Sequence, residues 1–453
     1  VDKLAQGVGL LLMAVFVVCV SIAVTQNASA QEKETILRIH GSNTIGAELA
    51  PDLAQGFLKK LGASSVQMVD ISTGTEVDVE GAFPDGTKVI EIRAHGSSTG
   101  FKGLRDKKCD IGMASRKIKG KEMDFLASYG DMTGNASEHV LALDGVAIIV
   151  NAANSSVSTM DFGKLSAIFS GKITNWSELG GADAPITVHA RDANSGTHDT
   201  FKSLVLGKKN KLVGSATRYD SNEALSDAVN ADINAIGYCG LPYVKYNKVL
   251  GISDGGPAVR PTIFTVATED YPVSRRLHLY TPAVPENPYT KNFVAFALGR
   301  QGQDLVRKHK FVDLTISAEE YKVEVAGTNH DYKVLYKYLN AVRGGKRLSA
   351  NFRFKGETLE LDTRAFQDLK RVMDFMAENR KSTAVLAGFS DSKGEYSDNL
   401  KLSCERAEVV KEELRSRGIR VLDVLCVSEE LPVASNETDL GRLKNRRVEV
   451  WIK

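Results

Sequence analysis

Scarcities come first in this 453-residue sequence, which has 5 cysteines, 2 tryptophans and 11 prolines. No CxxC pair and no metal-like His/Cys spacing occurs around its eight scattered histidines, so a zinc ribbon, a redox dithiol and a disulfide-framework mini-protein are excluded. Neither sign of charge dominates: 58 Lys+Arg stand against 56 Asp+Glu, a net +2, which leaves no basic field for nucleic acid or a membrane surface. No Walker loop is present and Ser195 is not in a G-x-S-x-G elbow, so no enzyme activity, catalytic residue, metal or cofactor is expected. Beyond the first thirty residues no apolar run resembles a transmembrane helix. What is present is an ordinary globular composition, 43% hydrophobic and 25% charged. The chain exceeds the ~250–300 residues that one core supports, so two or more domains are expected.

The first thirty residues differ in kind. Lys3 precedes an almost uncharged run from Val8 to Val24, and Ala28-Ser29-Ala30 stands before Gln31, the pattern of a secretory signal cleaved after Ala30. The rival reading is an uncleaved inner-membrane anchor, because the run is just long enough to span a bilayer. Either way the rest is expected outside the cytoplasm. Of the four later cysteines, Cys109 and Cys239 read as small buried core residues, while Cys404 and Cys426 are near enough in sequence to permit a disulfide without requiring one.

Two textures follow. From about 35 to 316, β-branched runs such as 146–150 alternate with helical patterns such as 162–169, the signature of an α/β fold. Around 317–344 the periodicity dissolves, and a linker is expected. From 345 the pattern is strand (349–354), helix (363–378), strand (384–389), helix (403–416), strand and a terminal strand (447–452), a small α+β domain ending at 453.

Three similar turns carry the chemistry of the first region: Gly41-Ser42-Asn43-Thr44-Ile45-Gly46, Gly96-Ser97-Ser98-Thr99-Gly100 and Asn194-Ser195-Gly196-Thr197. Each is expected to open a helix, whose unsatisfied N–H donors and positive dipole end suit an oxyanion. One such turn is an ordinary N-cap. Three of them, with Arg191 just ahead of Ser195, offer a planar multi-donor fork to a phosphate-like group.

These turns, together with Asp110-Ile111-Gly112-Met113-Ala114-Ser115-Arg116, Asp144-Gly145-Val146-Ala147, the segment from Ile168 to Trp176, Arg191 to Thr197, and Tyr271-Pro272-Val273-Ser274-Arg275, resemble the PstS-like phosphate-binding proteins of ABC transporters. The resemblance implies a two-lobed, type II-like periplasmic-binding-protein fold over residues 31–316. Lobe one is expected at 35–140 plus 261–316, and lobe two at 141–260. It implies that phosphate or a related oxyanion is held by Thr44, the N–H of Ile45, Ser97, Ser115, Arg191, Ser195, Gly196 and Thr197. Ser115 falls where studied members carry an Asp that repels sulfate, so rejection of sulfate is expected to be weaker here. Arg116 beside it is either a ligand contact or an ion pair. Delivery to an ABC permease is left open.

The last region resembles the OmpA-like peptidoglycan-binding domain over 345–453, through 388–394, Asn399, 402–407, 432–436 and 441–449. The resemblance implies that Asp391 and Arg406, with Asn399 beside them, hold the zwitterionic diaminopimelate of the stem peptide. Ser403 is expected as the N-cap that puts Arg406 in the first helical turn. Without the resemblance, Asp391 and Arg406 read as a plain ion pair. Cys426 stands where that family usually has a glycine. The expected whole is a periplasmic, wall-tethered solute-binding protein of a Gram-negative-type envelope, whose two functions separate by domain. The alternative is a structural cell-wall protein whose first unit has lost or changed its ligand.

Overall fold

A computed structural model describes residues 33–453 apart from 48, 73–75, 194, 324, 326–330, 357 and 381. The expected signal segment, 1–30, lies outside the described residues. No helix among them is long and apolar enough to cross a membrane.

Strand Glu138–Val150 organises the first region. Its sequence is apolar almost without alternation and it is buried nearly end to end, as a strand covered on both faces should be. Its first half pairs antiparallel with Ser274–Tyr280, from Ser274 opposite Gly145 to Tyr280 opposite Glu138. Its second half pairs with Ala235–Gly240, from Gly240 opposite Val146 to Ile236 opposite Val150. One mixed 11-stranded sheet therefore runs through both lobes. It continues on one side through Ile111–Ala114, Lys33–Gly41, Gly86–Arg93, Glu76–Phe83 and Ser65–Ser72, and on the other through Thr187–Arg191 and Thr217–Tyr219.

Each half of this sheet has its own core. One gathers Leu37, Ile39, Leu53, Phe57, Ile90, Leu277, Phe293 and Phe296. The other gathers Ile148, Ile168, Phe169, Trp176, Phe201 and Tyr238. Val266, Tyr271, Val273, Val312 and Leu314, expected in lobe one, pack in this second core. Helix Phe162–Phe169 forms where its periodicity placed it, capped by Asp161, whose carboxylate accepts from the Lys164 N–H at 2.8 Å.

The C-terminal region is a five-stranded sheet in the order Ala318–Glu319, Lys346–Arg353, Arg447–Ile452, Ala384–Phe389, Val421–Cys426. Helices Thr363–Glu378 and Tyr396–Arg415 cover one face, over Leu348, Phe352, Leu369, Leu386, Val410 and Val450. The segment expected as a linker is part of this domain. Ala318 pairs with Leu348, and helix Tyr332–Val342 buries Leu335, Tyr338 and Val342 against the other face. Its apolar positions recur at helical spacing, which the polar stretch before it obscured.

The helix expected from Ser403 begins at Tyr396. Nothing between the two breaks it, so Ser403 is interior, its hydroxyl donating to the Leu400 carbonyl at 2.7 Å. Arg406 is therefore mid-helix, and the dipole argument for it falls. Cys404 and Cys426 form a disulfide, which ties this helix to strand Val421–Cys426. Cys109 and Cys239 are free and buried.

The two regions share a buried, charged interface. Residues 267–271, just before strand Ser274–Tyr280, press against strand Lys346–Arg353 and helix Thr363–Glu378. Glu269 adopts φ 61° and accepts from both Nε (2.7 Å) and Nη2 (2.8 Å) of Arg276. Arg353 and Arg364 flank it at 3.3 and 3.1 Å. Arg276 Nη1 reaches Asp362 at 2.8 Å, and Asp270 meets Arg347 at 3.0 Å. Asn351 donates to the Thr268 carbonyl at 2.9 Å. Burial alone would raise Glu269, but the Arg276, Arg364 and Arg353 charges override it and hold its carboxyl well below the usual range.

Candidate functional site

Two of the three helix openings singled out above, at Thr44 and at Ser195, face one cavity between the lobes, and the third, at Ser97, faces a neighbouring one. Strand Lys33–Gly41 ends in Gly41 at φ 138°, where a Cβ would lie 2.1 Å from the Met113 carbonyl oxygen, so glycine alone permits the turn into helix Asn43–Gly46. Thr44 lies in this short helix at the cleft, while the Ile45 side chain is buried in the first core. Helix Gly196–Phe201 opens opposite, and the hydroxyl of its N-cap Ser195 accepts from the His198 N–H at 3.4 Å. Behind it Phe201 stacks on Tyr238, with centroids 4.0 Å apart. The Tyr238 hydroxyl lies 2.6 Å from His198 Nδ1. Burial pushes the Tyr238 hydroxyl up and His198 down, so both are neutral near pH 7. A Cβ on Gly196 would fall 2.1 Å from Thr44 Oγ1. Glycine at this position lets the lobes meet.

Thr44, Arg191, Ser195, Gly196 and Thr197 line one cavity of about 360 Å³, with Asn43 and Asp144. Arg191 closes strand Thr187–Arg191 and is buried; its Nε donates to the Tyr219 carbonyl at 3.3 Å and its Nη2 to that of Asp220 at 2.8 Å. These carbonyls fix the guanidinium in place. Ser97 and Ser115 line a neighbouring, larger cavity. Ser97 opens helix Ser97–Arg105, and its Oγ accepts from the Ser115 N–H at 3.0 Å and lies 3.3 Å from Ser115 Oγ. Arg116 makes two 2.7 Å contacts to Glu122, the ion-pair role of its two expected alternatives.

Arg275 joins the two cavities and has no place among the expected ligands. Its Nη2 donates to Thr44 Oγ1 at 2.9 Å and to the Gly196 carbonyl at 2.6 Å, and its Nε to Asp144 at 3.2 Å. It ends one of the quoted motifs, so its presence was visible in the sequence and its contact with both lobes was not. The cleft thus offers hydroxyls, helix-opening N–H groups and two arginines. No group of His, Cys, Asp and Glu suited to a metal occurs among the described residues.

In the C-terminal domain Asp391 and Arg406 do not pair. Asp391 accepts from Arg446 Nη1 at 2.8 Å and from the Lys393 N–H at 2.9 Å. Arg406 is buried with its guanidinium 5.3 Å from the Phe354 ring centroid. Asn399 donates to Glu429 at 2.6 Å. The first region touches the rim of this domain, where the Ser435 N–H donates to Asp254 at 2.9 Å.

Comparison with known proteins accounts for both halves. The PBP superfamily domain matches residues 26–301, and the OmpA family matches 353–446. The phosphate-binding protein PstS of Borreliella burgdorferi is 26% identical over 307 residues, covering 66% of this chain and 98% of that protein. PstS of Bacillus subtilis is 30% identical over 273 residues, covering 60% and 82%. The solved structure of a possible phosphate binding protein from Planctomyces limnophilus has 26% identity and a TM-score of 0.50, over 63% of this chain and 94% of that one. These matches place the chain in the PBP superfamily, as a PstS-like phosphate-binding-protein homologue with an OmpA-family domain at its C-terminal end.

Proposed function

We propose that this protein captures phosphate in the cleft between its lobes, in the periplasm, and docks on peptidoglycan through its C-terminal domain. The observation that carries the first part is the joint exposure of Thr44, Arg191, Ser195 and Thr197 to one cavity, with Arg275 bridging both lobes beside it. Thr44 and Ile45 present the donors of one helix opening, and Ser195, Gly196 and Thr197 those of the facing one. Arg191, held by two carbonyls, supplies charge. Ser97 and Ser115 close the site from the side of the larger cavity.

For the second part, the ammonium of a diaminopimelate centre takes Asp391 in exchange for Arg446, and its carboxylate takes Arg406, with Asn399 at the edge. The support is the OmpA-family match, which contains all three residues. The test is a calorimetric panel of phosphate, sulfate and arsenate on the full chain, alongside sedimentation with diaminopimelate-type peptidoglycan. Saturable phosphate binding with sedimentation supports the reading. Absence of anion binding favours a structural wall protein.

A further inference from the structure

A cavity of about 710 Å³ lies between the solute-binding lobes and the C-terminal domain. Ser97, Ser115 and Arg275 form one end of its lining, and Leu440, Leu443 and Lys444, at the helix Asp439–Asn445, come from the C-terminal domain. Lys117, Lys202 and Lys208 add three further ammonium groups from two other segments. Of the three carboxylates in the lining, Glu269 and Asp362 are taken by Arg276, Arg353 and Arg364, which leaves Asp199 alone against four ammonium groups. Among the described residues, Lys117, Lys202, Lys208 and Lys444 form no direct ion pair, although the charges of Asp254, Glu269 and Asp270 act on Lys444, and Lys117 acts on Glu138 and Asp362. Lys444 is buried, donates only to the Tyr271 carbonyl at 3.3 Å, and is pushed down to about 8 by that burial.

Size and charge distribution define what fits. A cavity of this volume lies in the range of ~300–1,000 Å³ that accommodates ligands much larger than one tetrahedral oxyanion. Its cations come from three separate parts of the chain, so an anion with a single charged end would meet only some of them. A chain of linked phosphates meets them all. We propose that this interdomain cavity binds a linear polyphosphate, with its terminal phosphate at Ser97, Ser115 and Arg275 and the following phosphates against Lys117, Lys202, Lys208 and Lys444. The terminal-phosphate end rests on the anion reading of the cleft; the lysine wall stands apart from it.

The test is calorimetry on the full chain with inorganic tripolyphosphate, orthophosphate and glycerol 3-phosphate. Wild type should bind tripolyphosphate about tenfold or more tighter than orthophosphate. The Lys202→Gln/Lys208→Gln variant, altered at exposed positions that leave the fold intact, should lose about tenfold for tripolyphosphate while orthophosphate stays within about twofold. Lys444→Met should act in the same direction. Equal affinity for the two inorganic anions, tripolyphosphate binding unchanged in both variants, or glycerol 3-phosphate matching tripolyphosphate would overturn the proposal. Orthophosphate binding without tripolyphosphate binding defeats the inference and leaves the cleft reading standing. Lysine-dependent tripolyphosphate binding without orthophosphate binding does the reverse.

Discussion

On one face of strand Ser274–Tyr280, Arg275 reaches Asp144, Thr44 and Gly196 in the cleft; on the other, Arg276 is clasped by Glu269 and Asp362 at the C-terminal domain. Successive side chains of a strand point to opposite faces, so two adjacent arginines serve two different regions. In the cleft, Arg275 is paired with Asp144, while Arg191 is held by main-chain carbonyls, which is what the proposed anion site needs. At the interface, every one of these charges is consumed within the protein. The difference teaches that strand Ser274–Tyr280, which carries Arg275 to the cleft, is also the strand the C-terminal domain grips. The expectation that the two functions separate cleanly by domain therefore meets an interface packed against the strand that reaches the cleft.

The comparison can be broken most forcefully at Arg276. Arg276→Ala leaves Glu269 and Asp362 buried without their main partner, and loss of one member of such a group costs about 3–5 kcal/mol. Denaturant unfolding should show that loss, and a change under about 1 kcal/mol would mean that the interface does not hold in solution. On the other face, Arg191→Ala should weaken phosphate binding by about 1.5–3 kcal/mol, read by calorimetry, with unfolding little changed.

Acid should also lower the stability of the fold. His139 and His278 are pushed down to about 4 by burial. The unfolded chain takes up their protons near pH 6.5 and the folded one does not, so stability falls as pH drops from about 6.5 toward 4. The depressed carboxylates of Glu269, Asp270 and Asp362 extend the loss below the ordinary carboxylate range. A flat unfolding midpoint between pH 7 and 4 would contradict this.

Asp391→Ala should release the protein from peptidoglycan in a pull-down without changing anion affinity, and retention equal to wild type would remove Asp391 from the wall site. The smallest effect is expected at Ser115. Ser115→Asp should lower sulfate affinity relative to phosphate, and an unchanged ratio would end that account of selectivity.

Much of this was legible in the sequence, for physical reasons that differ by region. Helix Thr363–Glu378 and strands Ala384–Phe389 and Arg447–Ile452 carry strong periodicity, and they form where it put them. The helix openings at Ser97 and Ser195 were readable from Gly, Ser and Thr alone. The interface was not. Strand Lys346–Arg353 alternates Leu348, Ala350 and Phe352 with Arg347, Ser349, Asn351 and Arg353, which reads as an apolar face and a solvent face. In the structure the polar face is buried too, because residues 267–271 bring carboxylates and carbonyls to it. Nothing local to either segment announces that pairing. Arg275 was missed for the same reason, since its partners lie 131 and 231 residues away.

Calorimetric titration of phosphate into wild type, Arg191→Ala and Arg276→Ala, side by side at neutral pH, tests the division of labour most directly. The account predicts that Arg191→Ala loses about tenfold or more in affinity while Arg276→Ala, though less stable, binds within about threefold of wild type. Undiminished binding by Arg191→Ala, or a larger loss in Arg276→Ala than in Arg191→Ala, would contradict it.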